Sequence, residues 1–188
     1  MKKTAILFGA LLGLVSITAN AQTATKTATA TVNVKLHPIQ TIIVNTPNVD
    51  LEYNTITDYE QGVNVDKTNH LTIYSTGAFA VTVNSDPKDL GKLKSESTDV
   101  TEDIDAENIY VTASDGTDNV LDGAVYAGAV SLKQNPTTLF SSLLGGVNKK
   151  VTVNYAATHP TDAYVNKYFN EQNPTVYTTT VIYTISAQ

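Results

Sequence analysis

Apolar and polar residues alternate one for one through much of this chain, and no other feature narrows its fold so far. The last twelve residues show it plainly: in YTTTVIYTISAQ, Tyr177, Thr179, Val181, Tyr183 and Ile185 share one face. Successive side chains of a strand point to opposite faces, so such a stretch buries one side and wets the other. The same period groups Ala28, Ala30, Val32, Val34 and Leu36 in ATATVNVKL, Val49, Leu51 and Tyr53 in VDLEY, and Ile109, Val111 and Ala113 in IYVTA. HLTIYS and AFAVTVNS flank Thr76 and Gly77 as a hairpin whose inward side is Leu71, Ile73, Phe79, Val81 and Val83. A lone hairpin is marginal in water, so a second sheet must cover it.

The interruptions are as informative as the pattern. Pro38 donates no ladder hydrogen bond, so ATATVNVKL and the following IQTIIVN read as a first strand that is broken or switches sheets. DYEQGVNVDKTN is loop-like, with Val63 and Val65 forming at most a short edge strand. Residues 86–107 are charged and read as a long loop holding one short strand, and Asp115-Gly116 marks a turn. AVYAGAVSL and VTVNY return to the strand period. In NPTTLFSSLLGG, Leu139, Phe140, Leu143 and Leu144 fall at helical spacing with Gly145 as terminator, which predicts a short helical crossover between sheets. The expected fold is all-β: an antiparallel sandwich of about seven to nine strands, forming one domain over residues 28–188 behind a loose polar leader at 22–27.

MKKTAILFGALLGLVSITANAQ opens with two lysines, continues with an apolar run over residues 5–15 and ends in A-N-A at Ala21. That order predicts a secretory signal peptide over residues 1–21, cleaved before Gln22. The run is shorter than the roughly 20 residues of a spanning helix, and no second run reaches that length. A secreted product is expected, in the periplasm, at the outer-membrane surface or outside the cell. There is no cysteine, so disulfides, cysteine-bound zinc and thiol catalysis are excluded. Without Lys2 and Lys3 there remain ten lysines against eighteen acids, a formal charge of −8, and no arginine. Such a surface repels phosphate backbones, which argues against nucleic acid as a partner.

Nothing nominates a reaction. His37 and His159 precede prolines and His70 precedes a strand; all three read as solvated or turn residues. H-E-x-x-H and G-x-S-x-G are both missing, so no metal pair or nucleophile stands out and the chain is expected not to be an enzyme. Hard cations want several oxygen ligands at close range, which makes Asp99, Glu102, Asp103 and Asp105 candidate calcium ligands, with Asp115, Asp118 and Asp122 as a second set. The alternative for both is a solvated acidic face, and no other cofactor is implied. Ten tyrosines and no tryptophan supply the aromatic surface. Tyr59, Tyr164 and Tyr168 lie in loop-like segments and are the candidate ligand-binding residues, since an exposed Tyr stacks on sugars or anchors an interface.

ATATVNVKLHPI after a signal peptide, LTIYSTGAFAVTVNS in the middle and TTTVIYTISA at the end resemble small secreted β-sandwich proteins of bacterial surfaces, the spore-coat-U-like and fimbrial subunits. The resemblance implies an immunoglobulin-like topology, a Gram-negative cell-surface setting and an adhesive or structural role. It implies partners that are protein, further copies of this chain, or cell-wall and extracellular polysaccharide. It also frames the strong terminal strand, which either pairs within its own sandwich or belongs to one lacking an edge that another copy's strand fills. The leader QTATKTATATVNV would then be the donor. A carbohydrate- or peptidoglycan-binding module using the loop tyrosines is the alternative function.

Overall fold

The computed structural model describes residues 25–89, 91–96, 103–157, 164–168 and 174–188. The segment read as a signal peptide, Asp99, Glu102 and His159 lie outside them. The chain divides into two compact units, Met1–Lys35 and Leu36–Gln188. In the first unit, residues 25–35 form neither helix nor strand, and every one is exposed. This corrects the expected first strand, whose first half does not form among the described residues. Pro38 withholds a donor and restricts the residue before it, and pairing begins just beyond it.

The second unit is all-β and sandwich-like. Its elements are β1 (Gln40–Val44), α1 (Ile56–Gln61), β2 (Val63–Ser75), β3 (Phe79–Ser85), β4 (Lys92–Ser95), β5 (Ile104–Asp105), β6 (Ile109–Asp115), β7 (Ala124–Tyr126), β8 (Ala129–Ser131), β9 (Thr137–Ser142), β10 (Gly146–Ala157), β11 (Tyr177–Thr178) and β12 (Val181–Ala187). Seven strands, β1, β2, β3, β6, β9, β10 and β12, run five residues or longer. One sheet has the order β1-β2-β10-β6-β8 and the other β12-β3-β9-β7; a small third sheet is β11-β4-β5. Every strand-to-strand pairing is antiparallel.

The inward faces of the two large sheets supply the core. Leu71 and Ile73 of β2, Phe79, Val81 and Val83 of β3, Val111 of β6, Leu139 and Phe140 of β9, and Val151 and Val153 of β10 are all essentially without solvent contact. Each such side chain stabilises the fold by about 1.5–3 kcal/mol relative to exposure. Phe79 and Phe140 meet edge to face, with centroids 6.3 Å apart. Val49, Leu51 and Tyr53 alternate inward as the sequence predicts and pack on this core, but their segment joins no ladder.

Other expectations fail as well. β2 and β3, expected to pair as a hairpin about Thr76 and Gly77, lie in different large sheets, so that turn carries the chain from one sheet to the other. Val63 and Val65, read as at most a short edge strand, open the long β2 between β1 and β10. The segment 135–146, predicted to hold a helical crossover, holds strand β9 instead. Its register with β3 passes from Val81–Phe140 to Thr82–Thr138, leaving Leu139 as an extra residue. That bulge turns both Leu139 and Phe140 into the core and breaks the two-residue period, so the segment imitates helical spacing. Among the described residues the one α-helix is α1, which runs into the stretch read as loop. Thr55 caps it: its Oγ1 accepts from the Asp58 N–H at 3.3 Å, while Asp58 Oδ2 accepts from the Thr55 N–H at 2.7 Å. This reciprocal cap satisfies donors that the first turn leaves bare.

Candidate functional site

The two large sheets end differently on their two sides. On one side, residues 127–128 carry the chain from β7 in one sheet to β8 in the other. On the opposite side β1 and β12 lie beside each other, each the outermost strand of its sheet with a single neighbour among the described strands. The polarity of that edge follows from the ladder. Asp86 N–H donates to Thr180 O at 2.8 Å and Gln188 N–H to Ala78 O at 3.2 Å, so the even-numbered residues of this stretch aim their main-chain groups at β3. Alternation then sends the N–H and C=O of Val181, Tyr183, Ile185 and Ala187 outward. The side chains of Val181, Tyr183 and Ile185 are half-buried and pack on the core. The edge is therefore a row of pairing groups above a partly uncovered apolar seam, the template that sheets usually blunt.

Behind the edge lies a buried polar chain. His70, expected to be solvated, is 1% exposed. Its Nε2 is 2.9 Å from Tyr155 Oη, which is 2.5 Å from Tyr183 Oη, so β2 and β10 of one sheet are linked to β12 of the other. Burial lowers the His70 pKa, and nearby Lys67 lowers it further. Burial pushes the Tyr155 pKa up to about 12 and raises that of Tyr183 further.

Two of the three candidate binding tyrosines come together, through a residue the sequence assigned to the sheet. Tyr53 stacks on Tyr164 at 4.8 Å and meets Tyr59 at 5.1 Å with a 46° tilt. Burial pushes the Tyr53 pKa up to about 12 and raises that of Tyr164. Tyr59 is 42% exposed, and a groove of about 470 Å³ lined by Asp50, Glu52, Asp58 and Asn64, among others, opens nearby in the chain. Tyr168 is exposed, and the ring contacts of the cluster do not include it.

The acidic candidates among the described residues each meet a different group. Asp103 pairs with Lys94 and Asp105 with Lys92. Asp115 accepts from Tyr126 Oη at 2.9 Å, Asp118 from the Asn69 amide at 3.2 Å, and Asp122 lies 3.6 Å from Lys149 Nζ. Among the described residues, no group of three or more His, Asp or Glu side chains is arranged to hold a metal ion. No helix of the described chain is long and apolar enough to cross a membrane.

The geometry defines an all-β, sandwich-like domain in which, among the described residues, the outer edge of β12 joins no further ladder. No protein-family model matches the chain, and a search of curated proteins found no significant match.

Proposed function

We propose that this is an exported, non-catalytic structural or adhesive subunit of the cell surface, which makes its protein contacts by strand addition between copies. The observation that carries this reading is the N-terminal segment, where Val32, Val34 and Leu36 alternate with polar residues yet are 84%, 78% and 88% exposed. An alternating apolar segment left in solvent gains burial and main-chain bonds only when a sheet edge accepts it. The β12 edge of a second copy offers both. Charge favours the same match: residues 22–35 hold Lys26 and Lys35 and no acid, whereas all eighteen acids lie beyond residue 35. The signal-like N-terminus supports export, and the resemblance to fimbrial subunits supports the surface role.

Light scattering on the purified protein over a range of concentrations tests this. Concentration-dependent oligomers that disappear when residues 25–35 are deleted are expected; a monomer throughout, or oligomers indifferent to the deletion, overturns the reading. The Tyr53–Tyr59–Tyr164 cluster, with the groove residues Glu52 and Asp58 next to Tyr53 and Tyr59 in sequence, favours a second one, a polysaccharide- or peptidoglycan-binding module. In that case a monomer is retained on cell-wall or glycan resin, and Tyr59→Ala releases it.

A further inference from the structure

Assembly at this edge, if strand addition is its mode, needs control, and the buried polar chain beneath β12 supplies the means. Between Lys67–Val153 and Leu71–Val151 the β2–β10 register sets Thr68, Asn69 and His70 against Thr152 alone. This wide irregularity is pinned at Asn69, whose φ is +52°. Its N–H donates to Thr152 Oγ1 at 3.2 Å, its Oδ1 accepts from the Thr117 N–H at 2.8 Å, and its amide nitrogen donates to Thr117 Oγ1 at 2.8 Å. Bulges re-aim side chains, and here the imidazole that follows is aimed inward at Tyr155.

We propose that His70, Tyr155 and Tyr183 form an acid-sensitive latch, which holds β12 against the sandwich while the imidazole is neutral and loosens it when the ring is protonated. The proposal rests on the strand-addition reading for its purpose, though not for its chemistry. Nδ1 of His70 has no hydrogen-bond partner in its buried position. A buried N–H without an acceptor costs more than a bare lone pair, so the neutral ring keeps its proton on Nε2 and donates to Tyr155 Oη. Tyr155 Oη is in turn hydrogen-bonded to Tyr183 Oη, and either hydroxyl can donate. A second proton must then go to Nδ1, where it meets no acceptor.

The ionisable groups facing the ring do not compensate for that charge. They are Tyr155 from β10, Tyr183 from β12 and Lys67 from β2 itself. Both phenols stay neutral across the physiological range, and Lys67 repels the imidazolium. Water must reach the ring instead, and the weakest wall decides the route. β10 is paired on both sides, with β2 and β6, whereas among the described strands β12 forms a ladder with β3 alone. Protonation therefore loosens β12 first, so that its outward edge is no longer held in register, and strand addition to that edge runs slower in mild acid than at neutral pH.

Hydrogen exchange of the protein, read by mass spectrometry at about pH 7.5 and 5.5 and corrected for the intrinsic pH dependence, tests the latch. Peptides covering Val181–Ala187 are expected to lose roughly tenfold or more of their protection in acid relative to peptides covering Ile109–Asp115. The His70→Gln variant, which keeps a donor for Tyr155 but does not titrate, is expected to lose none of that ratio. Unchanged β12 protection in the unaltered protein, or the same acid loss in His70→Gln, overturns the proposal. Should that variant not fold, NMR titration of the His70 ring decides: protonation without a matching change in β12 exchange is the adverse result. Light scattering on the same samples keeps the two ideas apart, because a protein monomeric at every pH ends the strand-addition reading and leaves the latch to the exchange data.

Discussion

Two stretches of this chain carry the same alternating pattern and meet opposite fates. Residues 28–36, ATATVNVKL, form no strand and leave their apolar side chains in water, while Val181–Ala187 lies antiparallel to β3 over its whole length. Periodicity confers the capacity to pair, and a neighbour with the matching register realises it. β12 finds β3 on one side and Tyr155 below; no described strand pairs with residues 28–36.

Truncation is the bluntest way to break that contrast. Removing residues 181–188 uncovers β3 and is expected to abolish the cooperative thermal transition seen by circular dichroism, whereas removing residues 25–35 shifts stability by no more than about 0.5 kcal/mol. Equal losses would show that the two ends are not different in kind. A proline scan sharpens it. Thr184→Pro removes a donor aimed at β3 and is expected to cost about 3 kcal/mol or more in denaturant unfolding, while Val34→Pro is close to neutral.

Smaller again is Tyr183→Phe, which takes away the hydroxyl bonded to Tyr155 Oη and leaves that buried phenol one partner short. About 1–2 kcal/mol is expected by chemical denaturation, and no loss would mean the two phenols are not coupled. The gentlest change is pH. With the His70 pKa below its ordinary value, the unfolded chain binds the extra proton first. Stability is therefore full above the ordinary histidine range and declines as pH falls through it toward the folded-state pKa. His70→Gln should flatten this slope between about pH 7 and 5, and an unaltered slope would assign the acid sensitivity elsewhere.

The inward faces were legible in the sequence wherever the ladder is regular. Leu71, Ile73, Phe79, Val81, Val83, Ile109, Val111 and Ala113 are all buried, as alternation predicts. The errors gather at bulges and caps. One inserted residue at Leu139 sends two neighbours inward and counterfeits a helix, and the irregularity at Asn69 turns a histidine that reads as solvated into a core residue. Thr55 and Asp58 three apart were the available sign of α1, weakened by an Asp where such caps more often carry Glu or Gln. The candidate site was less legible. Tyr59 and Tyr164 come together only through Tyr53, and an open edge is a fact about missing neighbours, which no local pattern encodes.

Both ends of the sandwich domain emerge beside one turn: Gln40 opens β1 opposite Ser75, and Ala187 closes β12 opposite Phe79. Tension applied between these two points pulls on the first rung of each ladder, so the rungs give way in succession and the domain opens under little force. A strand held lengthwise in another molecule's sheet is pulled along its axis instead, with all rungs sharing the strain. Copies joined in that manner would resist flow and drag far better than the same domains threaded head to tail on one polypeptide.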